Sequence, residues 1–172
     1  ANLLSAGASG GDILSNENYD RILIEVAYVD GFRPTSQAMD NLRTYLEERT
    51  FKEDISYNYR VLPSPEQESL TLTEIASLES ENRTAYNTDR TLAVYIYFAD
   101  APSDADSPED GLVTLGAVYR NTSMIIHENT IRDLASRSVV ITLSDVETTA
   151  LTHEFGHLFG LVDLGTPEVN PH

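Results

Sequence analysis

The sequence predicts an α/β domain of α+β-like character, built on a twisted mixed sheet of about five strands with crossover helices. Three observations carry this expectation. Short β-branched or alternating runs at Arg21–Val29, Ile55–Val61 and Leu92–Phe98 have the length and period of strands. Helix start signals and helical apolar spacing fill the two gaps between them. The order strand, helix, strand, helix, strand then implies a layered fold with right-handed crossovers. The chain has 172 residues, 41% of them hydrophobic, which is enough for one core without staples.

Ala1–Asn16 is rich in Gly, Ser and Ala and reads as a flexible lead-in or tether, so the folded domain is expected over residues 17–172. Arg21–Val29 (RILIEVAYV) is the first strand. Pro34 then opens a helix, where its missing N–H costs nothing, and Ala38, Leu42, Tyr45, Leu46 and Arg49 trace one face. Ile55, Tyr57, Tyr59 and Val61 alternate with polar residues, as a half-buried strand does. After a loop at Pro63–Ser69, Thr71 and Glu74 form a capping box that starts a helix running to about Thr84. Leu92–Phe98 has no polar face and reads as a central strand covered on both sides, with Tyr95 and Tyr97 as packing residues. Leu112–Arg120 and Ser123–His127 read as two strands joined at Asn121-Thr122. Ser138–Leu143 fits either a short strand or the lead-in to the last helix. His127 reads as a surface or locally satisfied histidine.

The formal charge of −17 argues against a nucleic-acid partner, because phosphates need Lys and Arg, and it disfavours anionic lipid surfaces. No apolar run approaches the ~20 residues that span a bilayer. The absence of cysteine excludes disulfides and thiolate zinc sites. Asp100–Gly111 (DAPSDADSPEDG) crowds enough carboxylates to suit Ca²⁺. Its spacing does not match an EF-hand, however, and a solvated acidic loop is the expectation.

The most informative stretch is Thr152–Asp163, THEFGHLFGLVD. On a helix, His153 and His157 lie one turn apart on one face and can point two imidazoles at one metal. Zinc suits such a pair, since a catalytic site uses three protein ligands plus water. Glu154, about 100° around the helix from His153, sits beside the metal, where a carboxylate can take a proton from water and pass it to a leaving amine. Ser144 and Glu147 have capping-box spacing and would start this helix at Asp145. Leu151, Phe155, Leu158 and Val162 form its apolar back. Gly160 can take positive φ and end it, turning Asp163 back toward the metal. Asp163 could instead cap the next turn, and His172 is a competing third ligand.

His153, Glu154, His157, Gly160 and Asp163 match H-E-x-x-H-x-x-G-x-x-H/D, and the chain resembles the metzincin metallopeptidases. The resemblance implies one catalytic Zn²⁺ held by His153, His157 and Asp163, with Glu154 as general base. It implies an extended peptide or protein substrate, paired by its backbone to a cleft-edge strand at Gly116–Tyr119. An ordinary hairpin is the alternative for that segment. The chain is also similar to secreted or lipid-anchored bacterial metallopeptidases through Asp12-Ile13-Leu14-Ser15, the strand near Ile22–Val29 and Gly165-Thr166-Pro167. That similarity implies an extracytoplasmic location, with a possible lipid anchor upstream of Ala1. In metzincins a C-terminal lobe carries a methionine turn. Here Met39 and Met124 both precede the motif, so residues 17–172 correspond to the N-terminal lobe alone. Two other function classes fit the same residues. One is a surface binding or adhesion module that keeps zinc without hydrolysis. The other is a structural zinc site closed by a fourth ligand such as His172.

Overall fold

The computed structural model describes residues 10–160. Its elements are α1 (Gly10–Leu14), β1 (Arg21–Val29), α2 (Ser36–Arg49), β2 (Asp54–Leu62), α3 (Leu72–Asn82), β3 (Thr91–Ala99), β4 (Gly116–Arg120), β5 (Ser123–His127), α4 (Glu128–Ser136) and α5 (Leu143–Leu158). The strands form one mixed sheet in the order β2-β1-β3-β5-β4, as expected for this α/β class. β1 pairs in parallel with β2 and β3, and β3 in parallel with β5. β4 pairs antiparallel with β5 at the edge, and its register shifts between Val118 and Arg120.

Alternation along the strands supplies two cores, one on each face of the sheet. Ile22, Ile24 and Val26 of β1 join Val94, Ile96 and Phe98 of β3 under α2 and α5. Val29, Tyr95, Tyr97 and Ile125 face the other way, against Ile75 of α3. β3 is buried from Leu92 to Ala99, which accounts for its lack of a polar face. The capping box at Thr71 and Glu74 is present with both of its hydrogen bonds, and α3 ends at Asn82. Among the described residues, no helix is long and apolar enough to cross a membrane.

Several elements differ from the sequence expectation. Residues 10–14 belong to α1 rather than to a loose lead-in, with Ile13 fully buried in the larger core. The Lys52 ammonium fixes this segment by donating to the carbonyls of Asp12, Ser15 and Tyr19. α2 starts after Pro34, with Thr35 as N-cap accepting from Ala38 N–H. At the end of β2, Leu62 is buried and Val61 is exposed, so the alternation breaks there. β4 begins at Gly116; Leu112 makes only an isolated bridge to Ser107. α4 was not expected at all. Of the two readings of Ser138–Leu143, the lead-in to α5 holds, with Val139 and Val140 exposed where the chain passes from α4 to α5.

Candidate metal centre

α5 starts two residues earlier than the Ser144 box implies, at Leu143. Thr142 is the N-cap: its hydroxyl accepts from Asp145 N–H, and the Asp145 carboxylate accepts from Thr142 N–H. Glu147 is thereby released from capping and turns into the interior. There it accepts from the Thr35 hydroxyl at 2.6 Å and from Thr35 N–H at 3.2 Å, tying α5 to the start of α2. Leu151, Phe155 and Leu158 are fully buried, as the apolar back of the helix requires. Gly160 has φ 76°, and its N–H closes the last turn on the His157 carbonyl at 3.0 Å.

These anchors present the three motif side chains together. The Nε2 atoms of His153 and His157 lie 3.1 Å apart, with the rings nearly perpendicular at 87°. One ligand atom from each of His153, Glu154 and His157 falls within 4.8 Å of the others. Among the described residues this is the one such group of three or more metal-ligating side chains. His153 is exposed, His157 is buried and Glu154 is fully buried. Zinc bound at ~2.05 Å in tetrahedral geometry would set two imidazole nitrogens about 3.3 Å apart. The observed separation fits a shared zinc ion with a small adjustment.

The edge strand crosses directly over the motif carboxylate. A Cβ added at Gly116 would stand 3.0 Å from Glu154 Cγ, from the Ile125 carbonyl oxygen and from Ile126 Cδ1. The missing side chain of Gly116 lets β4 lie this close to the Glu154 side chain, where any Cβ would be a tight contact. The cleft beside them, of about 330 Å³, is lined by Gly116, Ala117 and Val118 of β4, by Leu72, Asp104 and Val113, and by His127, Glu154 and His157. A larger hollow of about 760 Å³ lies between α2 and β2, lined by Asp40, Glu47, Glu53 and Asp54 together with Arg43, Lys52 and Tyr57, but its carboxylates do not converge into a metal-ligating group. The chemistry therefore selects the smaller one.

His127 is the cleft residue that the sequence does not reveal. It is 1% exposed, and its Nδ1 lies 2.9 Å from the Ala101 carbonyl oxygen, so that nitrogen carries the proton. A single histidine at a strand end gives no signal of this, because the cleft wall is assembled from distant loops. Asp100–Gly111 runs along the same rim, with a 3₁₀ turn at Pro108–Asp110 and Asp106 accepting from Thr114 N–H at 2.8 Å. Asp104 and Asp106 border hollows, but the loop does not gather its carboxylates into a calcium-like cage. Asp163 and His172, the two candidates for a third zinc ligand, lie outside the described residues, as does Val162. Comparison with known proteins finds no matching family model, no matching curated protein and no matching solved structure.

Proposed function

We propose that the chain is the catalytic lobe of a zinc-dependent endopeptidase of the metzincin type. The observation that carries this reading is the 3.1 Å approach of the His153 and His157 Nε2 atoms beside a fully buried Glu154, under an edge strand. His153 and His157 hold the metal, and Asp163 is the third ligand proposed from the motif. Zinc bound there supplies Lewis-acid polarisation of the scissile carbonyl and lowers the pKa of its water toward ~7. Glu154 would take a proton from the water whose oxygen bonds to the scissile carbonyl carbon, and would return that proton to the leaving nitrogen as the C–N bond breaks. Its burial keeps bulk water away, which strengthens both transfers electrostatically. Gly116 and Ala117, small residues at the start of the edge strand, let an extended peptide backbone add alongside β4.

Zinc stoichiometry and peptide cleavage, measured together, test the reading. One zinc per chain is expected in the parent and in Glu154→Gln, with cleavage lost in the latter by about 10²-fold or more, the scale of a general acid–base group. His153→Ala is expected to lose metal and cleavage together. Cleavage by Glu154→Gln at the parent rate would refute the role of the carboxylate, and a parent chain without zinc would refute the metal site.

A further inference from the structure

The last turn of α5, which carries His157, is gripped from outside the helix. Gly10 is buried, and a Cβ added to it would lie 2.6 Å from the Phe159 carbonyl oxygen and 3.0 Å from the carbonyl carbon. Phe159 is the C-cap of α5, two residues beyond His157. Its ring stacks on Tyr45 of α2 at 6.2 Å and 10°, and packs against Phe155 on the other side. The final turn thus sits between α1 and α2. α1 itself cannot drift, because Ile13 is inserted in the core and Lys52 binds three carbonyls around its end. The Ser15 N–H and hydroxyl both donate to the Gly11 carbonyl, closing the short helix.

A helix end has unsatisfied carbonyls and frays unless tertiary contacts hold it. His157 belongs to that fraying end, whereas His153 lies one turn further inside. We propose that Gly10 is a positioning residue for the metal centre. It lets α1 pack against the Phe159 carbonyl and so fixes the turn that aims His157 at the His153 side chain. The zinc consequence rests on the function proposed above; the clamping of the helix end does not.

The neighbouring glycine provides the control, since a Cβ at Gly11 meets nothing within 4 Å. The test uses the full chain as parent, Gly10→Ala and Gly11→Ala. Two readouts are followed: zinc dissociation constant by chelator competition, and amide hydrogen exchange at His157–Gly160 without metal. Gly10→Ala is expected to weaken zinc on the order of tenfold or more, the scale on which supporting shells control metal affinity, and to speed exchange in that turn. Gly11→Ala is expected to match the parent in both. Ile75→Ala, in the core on the opposite face of the sheet, should lower stability and leave zinc affinity alone. Equal zinc loss in Ile75→Ala, or equal exchange in the two glycine variants, overturns the proposal. If the parent binds no zinc but the exchange contrast holds, the clamp stands and the metalloenzyme reading falls. Should Gly10→Ala fail to fold, Lys52→Met unties α1 without adding a clash. Faster exchange at His157–Gly160 is then the expected result, and unchanged exchange the refuting one.

Discussion

Glu128, buried beside Glu147, should make the stability of this chain fall with rising pH, and Glu128→Gln should abolish that fall. Both carboxyl groups are fully buried, one on α4 and one on α5. Burial, followed by the hydrogen bond and the charge of Glu147, pushes the Glu128 carboxyl up to about 10. Arg132 opposes this shift by donating from Nε to Glu128 Oε1 at 3.1 Å. The guanidinium is also shared, donating to the carbonyls of Gly31 and Arg33. Glu147 meanwhile accepts from Thr35 N–H and hydroxyl. Glu128 therefore holds a proton that the unfolded chain has released above its ordinary carboxyl pKa. With the folded value raised, the stabilisation is complete below about pH 4.5 and is lost progressively as pH rises toward about 10. The limit is about 1.4 kcal/mol per pH unit, or about 4 kcal/mol between pH 6 and pH 9. Glutamine at 128 keeps a permanent donor toward Glu147 and has no proton to lose. Urea denaturation of metal-free parent and variant, followed by circular dichroism from pH 6 to 9, reads the difference directly. The variant should gain on the parent steadily across that range. A constant difference at every pH would mean that Glu128 does not keep its proton over this range, and the reasoning would fail.

Two further outcomes follow from the geometry. Gly116→Ala forces a methyl group against Glu154 Cγ and the Ile125 carbonyl, so it should cost about 1–3 kcal/mol as an overpacked site. Cleavage should drop further than zinc content, because the displaced group is the carboxylate and not a ligand; equal losses would argue against it. Thr142→Ala should cost about 1 kcal/mol through the lost N-cap, while Ser144→Ala should change the denaturation midpoint little. The reverse pattern would restore Ser144 as the cap.

The residues that could be read in advance are those governed by local geometry. β1 and β3 announce themselves by composition, α3 by its capping box, and the pairing of His153 with His157 by the helical repeat alone. The errors lie where local signals tie. Thr142/Asp145 and Ser144/Glu147 are both plausible caps, and what decides between them is a distant partner, Thr35, which draws Glu147 inside. α4 is short, and its apolar content is little more than Ile131 with Leu134 and Ala135, too few to stand out from a loop. α1 depends on Ile13 finding the core and on Lys52, neither visible in a stretch of small residues. The cleft lining was the least legible, since Leu72, Asp104 and His127 meet only after the chain has closed.

The two edges of the sheet are not equivalent. β2 forms one edge, and its Tyr57 and Tyr59 are roofed by the guanidinium groups of Arg43 at 4.7 Å and Arg33 at 4.1 Å. Asp54, Asn58 and Arg60 add polar and charged side chains along the same strand. Such a margin is poorly suited to recruiting a foreign strand, since a newcomer would have to strip solvated charges and displace the stacked cations. Among the described residues, β4 offers glycine and alanine at its start and has Arg120 as its one charged side chain. Any growth of this sheet by an incoming backbone is thus directed to one margin, the one that runs past Glu154. The same asymmetry discourages copies of the chain from joining margin to margin into fibrils.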